Sequence, residues 1–338
     1  MAGRLIELPQ ARGPLSEQLF EALGGAPDEG LAAPAVDVDD PIGDEDLQLS
    51  LYVAYELHYS AVRDVDEGWE WAPSLLAFRA ALERPFDLAI AELVPPAEPG
   101  ELESVGAALQ RIVAEDPGPP LSRYMETLGT QEQMLEHVVH RSAYQLKEAD
   151  PHSWAIPRLG PGPKAALLEV QADEYGGGSS ERMHSVLFAQ TMAAVGLDPT
   201  YGAYLERLPA VTLATVNLVT GFGLHRRRRG ALVGHLAAFE MTSSIPNRRY
   251  GSALRRLGHG REATHFYDEH VEADAVHENI AAWDLAGGLA TDEPAVAADV
   301  LFGARALLQV EARWASHLMD CWERGGSSLR SPLLAIAA

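Results

Sequence analysis

The feature that most restricts the fold is an almost uncharged stretch from Pro209 to Leu224. A membrane-spanning helix needs about 20 consecutive apolar residues, and this stretch is shorter. It also contains polar side chains at Thr212, Thr215, Asn217 and Thr220. We therefore interpret it as a helix buried inside a globular protein and not as a membrane span.

Helical patterns continue along the rest of the chain, and none of its segments shows the alternation of a strand. Hydrophobic residues make up 47% of the chain, but aromatic residues only 7%, a balance that favours helices over sheets. The sequence thus predicts an all-α bundle. The predicted helices span residues 46–62, 74–82, 102–115, 120–128, 131–148, 164–175, a helix from 180, 200–224 with a kink at Pro209, 229–244, 247–257, 262–285 and 294–324.

The chain of 338 residues is long enough for one large domain or two smaller ones. Residues 1–45 are rich in Pro, Gly, Ala and Asp, which predicts an extended or partly disordered arm. Residues 46–130 are expected to form N-terminal helices that pack on a core domain. We expect that core domain to comprise residues 131–330.

Charge and cysteine content restrict the possible partners and the compartment. The formal net charge is −23 at pH 7 and the pI is about 4.8, so the surface would repel nucleic acid. Cys321 is the only cysteine, which excludes a disulfide within the chain and fits a reducing cytoplasm. Residues 1–15 lack the apolar segment of a signal peptide. The sequence therefore predicts a cytoplasmic protein without nucleic-acid or membrane partners.

The segment HVEADAVH, residues 270–277, carries the first candidate metal ligands. His270, Asp274 and His277 are spaced at i, i+4 and i+7, which places them on one stripe of a helix. Two imidazoles and one carboxylate on one face can form half of a metal site. The alternative is a solvated polar face, because further acidic residues flank the stripe.

Further candidate ligands lie on other predicted helices. Glu148 stands at a helix C-terminus, where a carboxylate opposes the helix dipole. Glu240 follows an apolar run, and a buried carboxylate must be protonated, paired or bound to a cation. Glu174 ends a helix before three glycines, and His184 is a candidate ligand that could equally be a core histidine.

These residues together predict a dinuclear metal site. Helical bundles build such sites from inward-facing glutamates and carboxylate-x-x-His pairs, and Asp274 with His277 forms one such pair. Four carboxylates and three imidazoles suit two iron or manganese ions. Zinc prefers fewer ligands, and magnesium or calcium would not take imidazole.

Five motifs of the chain resemble those of a known family. They are KEADPHSW (147–154), LLEVQADEYGGG (167–178), RMH (182–184), AFE (238–240) and H-x-x-x-D-x-x-H (270–277). Over about residues 140–285 the chain resembles the haem-oxygenase-like diiron oxidases known as iron-containing redox enzymes. It is most similar to N-oxygenating members such as the diiron domain of the N-nitrosourea-forming enzyme of streptozotocin biosynthesis.

The resemblance implies a fold, a cofactor and a ligand set. The fold would be a seven-helix, haem-oxygenase-like bundle with additional N-terminal helices, and the protein a homodimer that binds two irons and no haem. Glu174 would be an extra, catalytically important carboxylate that is characteristic of N-oxygenating members. The implied metal ligands are Glu148, Glu174, His184, Glu240, His270, Asp274 and His277.

The resemblance also implies an O2-dependent nonhaem diiron N-oxygenase of natural product biosynthesis. It would oxidise an amine or guanidine nitrogen of a small amino-acid-like or heterocyclic substrate to the hydroxylamine, nitroso or nitro level, using an external electron donor. One alternative is a diiron oxidase that desaturates or cleaves a C–C bond of a small amino or fatty acid. The other is a helical metal-binding protein without catalytic activity.

Some polar residues outside this ligand set have open roles. The run Arg226–Arg229 is either a surface cluster paired with nearby acids or a clamp for an anion or a substrate carboxylate. Arg182 is a second candidate partner for a substrate carboxylate. Glu56 and His58 point to different faces of a helix, so we interpret them as packing and capping groups.

Overall fold

The computed structural model describes residues 5–94, 104–116 and 118–333, and for residues 272–276 it gives the backbone alone. The regular structure of these ranges is helical, apart from one isolated bridge between Ile6 and Val62. This confirms the predicted all-α fold. The α-helices are α1 Pro14–Leu23, α2 Glu45–Glu56, α3 Pro73–Leu93, α4 Val105–Glu115, α5 Leu121–Thr127, α6 Gln131–Gln145, α7 Asp150–Ser153, α8 Pro161–Glu174, α9 His184–Ala194, α10 Ala210–Leu224, α11 Arg229–Arg256, α12 Arg261–Asn279, α13 Gly288–Asp292 and α14 Ala297–Glu323.

Helix α11 is the centre of the bundle and packs along both α12 and α14. Two glycines allow α11 and α14 to approach closely. A Cβ atom on Gly234 would overlap with the backbone of Val300, and one on Gly303 would overlap with the backbone of Ala231. Because the two helices touch through their backbones, their register is fixed by steric fit.

Helix α10 is the buried helix that the uncharged stretch predicts. Asn217 Nδ2 on this helix donates to the carbonyl and side-chain oxygens of Gln48 on α2, whereas Asn217 Oδ1 makes no hydrogen bond with the described residues. The predicted kink at Pro209 is wrong. Pro209 has an extended backbone and stands at the N-cap, so the helix starts directly after it. Within the described ranges, no helix is both long enough and apolar enough to cross a membrane.

The predicted break between residues 244 and 247 is also wrong, because α11 continues through Pro246. A proline in a helix interior costs about 3 kcal/mol or more. The second half of α11 offsets this cost by burying Tyr250, Ala253 and Leu254. Packing of the whole helix thus outweighs the local preference of its proline.

The stretch before residue 45 differs from the extended arm that its composition predicts. It contains α1, and both Leu19 and Leu23 of this helix are fully buried. Helix α1 packs on α2, and Asp46 on α2 accepts hydrogen bonds from the backbone N–H groups of Leu15 and Ser16. Apolar residues among the prolines and glycines thus attach this segment to the core.

Two imidazoles face each other inside the bundle, His152 on α7 and His235 on α11, with His152 Nε2 3.1 Å from His235 Nδ1. Burial lowers the pKa of His152 from 6.5 to about 3, and burial also lowers the pKa of His235 well below its ordinary value. Between about pH 3 and pH 6.5 the unfolded chain therefore binds more protons than the folded chain. The pair does not reduce the free energy of unfolding above pH 6.5, but it lowers that free energy as the pH falls towards 3.

We expect His152→Gln to reduce the loss of stability in acid. Each such histidine changes the free energy of unfolding by up to about 1.4 kcal/mol per pH unit. Urea unfolding of the metal-free protein between about pH 4.5 and 7 measures this slope. His265→Gln on α12 changes a partly exposed imidazole and should keep the wild-type slope. An unchanged slope in His152→Gln would contradict the assignment.

Candidate metal centre

Six of the predicted ligand residues come together at one buried place between five segments of the chain. Their side chains are supplied by the turn after α6, the last residue of α8, the first residue of α9, the middle of α11 and the length of α12. All six are at most 7% exposed. These residues are Glu148, Glu174, His184, Glu240, His270 and His277.

The six residues form two groups that share one carboxylate. Candidate ligand atoms of Glu148, Glu174, His184 and His270 lie within 4.8 Å of one another. Those of Glu174, Glu240 and His277 meet the same limit. Glu174 thus belongs to both groups. The side chain of Asp274, the seventh predicted ligand, lies outside the described residues.

Each group is compact enough for its atoms to face a common point. Glu174 Oε2 lies 2.8 Å from His184 Nδ1, and His270 Nε2 lies 3.6 Å from Glu148 Oε1. The rings of His184 and His270 have centroids 4.3 Å apart. In the second group, His277 Nδ1 lies 3.5 Å from Glu240 Oε2.

The two α12 histidines are oriented by partners outside the groups. His270 Nδ1 lies 2.8 Å from the carbonyl oxygen of Phe266, so the ring presents Nε2 to Glu148. His277 Nε2 lies 2.9 Å from Asp173 Oδ2, so its ring presents Nδ1 to Glu240. Metal-binding histidines are typically held in this way through their second nitrogen. Asp173 was missed in the sequence, although it directly precedes Glu174.

Several polar atoms of the centre are buried without a hydrogen bond. Both carboxylate oxygens of Glu148, Glu174 Oε2, and Nδ1 of His184 and His277 make no hydrogen bond of regular geometry with the described residues, although carboxylate and imidazole atoms of the centre approach one another to 2.8–3.6 Å. A buried polar group without a partner costs about 1–3 kcal/mol. Carboxylate and imidazole atoms converging in this state fit bound cations, and their chemistry suits iron.

The comparison with protein families decides the class of the protein. A family described as iron-containing redox enzyme matches residues 135–312, more than half of the chain. The chain belongs to this family. The comparison with curated proteins found no match. The matched range contains both groups of candidate ligands, and the all-α bundle agrees with the haem-oxygenase-like superfamily of these enzymes.

In this iron-containing redox enzyme, the electrostatics of the centre favour a cation. Burial raises the pKa of Glu148, Glu174 and Glu240, because each carboxylate would lose its hydration on ionising. Burial also lowers the pKa of His184 to about 4. Burial alone would lower the pKa of His277, but Glu240 and Asp173 outweigh this effect and raise the pKa from 6.5 to about 9. A bound cation would stabilise all three carboxylates in their ionised form.

The backbone next to Glu148 is strained. The predicted helix to residue 148 ends three residues early, and Glu148 lies in the turn between α6 and α7. Ala149 follows with a φ of 72°, in the left-handed region that favours glycine. Gln171 Nε2 donates to the carbonyl oxygen of Ala149 over 3.0 Å and holds this turn. Pro151 does not stop the preceding helix but lies in the first turn of α7.

Replacing Ala149 with glycine should stabilise the protein by about 0.5–1 kcal/mol. The left-handed conformation costs alanine about 1–2 kcal/mol, and the greater freedom of an unfolded glycine offsets part of the gain. Urea unfolding measures the change. Ala165→Gly, at an exposed position of α8, is the matched control and should lower stability by about 0.5–1 kcal/mol. A loss of stability in Ala149→Gly would contradict the strain.

Four of the arginine candidates pair with acidic residues that belong to neither group of candidate ligands. Arg227 and Arg228 each lie 3.4 Å from Asp87, and Arg229 pairs with Glu293. These three arginines therefore follow the first alternative, a cluster paired with acids. The side chain of Arg182 is 69% exposed, so the suggestion that it binds a substrate carboxylate has no support in the structure.

Glu56 and His58 also lie outside the groups. Glu56 is fully buried and pairs with Lys147, whose Nζ lies 4.6 Å from the centroid of the Tyr59 ring. His58 Nε2 lies 2.6 Å from Arg79 Nη1. Glu56 is the last residue of α2 and His58 lies beyond its end, and both make buried polar contacts outside the two groups. The Lys147–Glu56 pair attaches α2 to the residue directly before Glu148.

Proposed function

We propose that this protein is an O2-dependent nonhaem diiron N-oxygenase. The single observation that carries the proposal is the position of Glu174, a buried carboxylate that belongs to both groups of candidate ligands. The resemblance of the sequence assigns an extra carboxylate at this position to N-oxygenating members. The substrate would be a small amino-acid-like or heterocyclic molecule with an amine or guanidine nitrogen.

The donor atoms support two irons without haem. Glu148, His184 and His270 would hold one ion, Glu240 and His277 would hold the other, and Glu174 would be available to either ion because it belongs to both groups. Carboxylate-rich sets of this kind occur in dinuclear bundle proteins, whereas haem iron takes one or two axial side chains. Bound ferrous iron would supply the electrons that reduce O2, and an external donor would restore them.

The residues of the chain itself would orient ligands and exclude water. Asp173 and the Phe266 carbonyl fix the rings of His277 and His270, which sets the direction of their donor nitrogens. Glu174 adds a hard anionic donor between the two groups. We infer that this additional anionic ligand would favour oxygen transfer to a nucleophilic nitrogen over hydrogen abstraction from carbon.

Anaerobic titration with ferrous iron, followed by rapid mixing with O2, tests the proposal. We expect two irons per chain and a transient visible absorption band after mixing. L-arginine and L-lysine serve as guanidine and amine probes, and the band should decay faster when a suitable nitrogen is present. One iron or none, with no band, would contradict a diiron centre.

Product analysis separates N-oxygenation from its alternatives. With 18O-labelled O2, an N-oxygenase leaves labelled oxygen on a retained nitrogen. A carbon-oxidising relative would instead give an alkene or a shortened skeleton without N-bound label. Iron uptake without any O2 consumption would favour the metal-binding alternative and contradict the proposed enzyme.

A further inference from the structure

A cavity of about 480 Å³ lies between α5, α6, α11 and α14. Its apolar surface is partly aromatic, with contributions from Phe239, Tyr250 and Trp314. Sites for small molecules typically measure about 300–1,000 Å³ and combine such a surface with a few polar groups. The cavity therefore has the size and lining of a small-molecule site.

Helix α11 contributes residues both to the cavity and to the candidate metal centre. Phe239 lines the cavity and directly precedes Glu240 on α11. Its ring packs on Tyr144, with centroids 5.4 Å apart. Burial, and then the charges of Glu148, Glu174 and Glu240, raise the pKa of the Tyr144 hydroxyl. The cavity wall at Phe239 is thus one residue along the chain from a candidate ligand.

One polar side chain of the cavity is buried and incompletely satisfied. Gln145, three residues before Glu148, lines the cavity and is only 9% exposed. Its Oε1 accepts no hydrogen bond from the described residues. A buried amide oxygen in this state recognises an N–H donor on a ligand.

The other polar groups of the cavity have different roles. Arg141 makes two hydrogen bonds with Glu311, over 2.9 and 2.7 Å, and lies 3.8 Å above the ring of Trp314. It is therefore a structural part of the wall. Arg249 is more accessible, with a side chain that is 35% exposed, and it lies 3.2 Å from Ser122 Oγ and 3.8 Å from a Glu126 oxygen.

We propose that this cavity binds a small amino carboxylate with an apolar body. Its N–H group would donate to Gln145 Oε1, its carboxylate would lie beside Arg249, and its body would pack on Phe239 and Trp314. This orientation places the nitrogen beside Gln145, three residues before Glu148. The inference that this ligand is the substrate of the metal centre rests on the proposed function. The inference that the ligand binds in the cavity does not.

Calorimetry without O2 tests the cavity with three probes. L-phenylalanine carries both groups, phenethylamine only the amine, and 3-phenylpropanoate only the carboxylate. Titrations use the full chain with and without ferrous iron, so that a probe that only chelates iron is recognised by its loss in the metal-free protein. We expect L-phenylalanine to bind most tightly, in both states.

Two variants assign the contacts. Gln145→Met should weaken L-phenylalanine and phenethylamine by about tenfold or more and leave 3-phenylpropanoate unchanged, because it removes a hydrogen bond to a charged group. Arg249→Gln should weaken the two carboxylates by up to about fivefold and leave phenethylamine unchanged. Arg84→Gln, exposed on α3 and outside the cavity, is the control.

The outcomes separate the cavity from the function. Binding of none of the probes, or equal weakening of all three in one variant, would overturn the cavity assignment. Gln145→Glu keeps acceptor oxygens and should retain amine binding, so it replaces Gln145→Met if that variant does not fold. Probe binding without O2 consumption would contradict only the proposed enzyme. O2 consumption with unchanged binding in both variants would contradict only the cavity.

Discussion

Glu174→Ala should lower O2-dependent turnover by about 100-fold or more while the protein still binds iron. Removing a residue that only supports a metal ligand already lowers metal affinity or activity by about 10–100-fold. Glu174 itself belongs to both groups of candidate donors. Three donors of the first group and two of the second remain in the variant. Steady-state O2 consumption and iron analysis of the same preparation measure the two effects.

Glu169→Ala provides the matched control for this change. Glu169 lies on the same helix, α8, but its side chain is exposed, so turnover should stay at the wild-type rate. Full activity in Glu174→Ala would remove the catalytic role that we assign to it. Loss of all iron would show that the carboxylate is needed to build the centre rather than to direct its chemistry.

Ferrous iron should raise the free energy of unfolding by about 3–4 kcal/mol when its free concentration is about 100 to 1,000 times its Kd. The metal would bind the folded chain, where six buried candidate donors converge, and would have no comparable site in the unfolded chain. Anaerobic urea unfolding with ferrous iron, and again with a chelator, measures this difference.

His184→Ala should abolish most of this stabilisation because it removes a donor from the first group. His265→Ala, on the partly exposed face of α12, keeps all six donors and should retain the full effect. An unfolding transition that iron does not shift in the wild-type chain would mean that the groups do not bind it.

The sequence predicted the class of fold because helical periodicity extends through most of the chain. Glu240 was predicted as a ligand because it is an acidic residue that follows an apolar run. His270 and His277 were predicted from their helical spacing. The structure brings these residues together, although their role as ligands stays a prediction. Asp173 was missed because its role depends on the rotation of α8 against α12, which spacing within one helix does not reveal.

The errors at helix boundaries have a common physical cause. Pro246 lies inside a helix because apolar side chains beyond it are buried, and α6 ends early because the turn at Ala149 is held by Gln171 from another helix. In both cases a contact from elsewhere in the fold outweighs the preference of the local sequence. The local sequence pattern at a helix end does not reveal such contacts.

The distribution of the candidate ligands along the chain also determines when iron can enter. The six donors come from five segments between residues 148 and 277, and most are brought together only by packing of α8, α9, α11 and α12. Closing loops of such length is slow and costs chain entropy, so the metal cannot act as an early nucleus of folding. Iron occupancy would then report completed assembly of the bundle, and a nascent chain with fewer helices would lack the full set of donors.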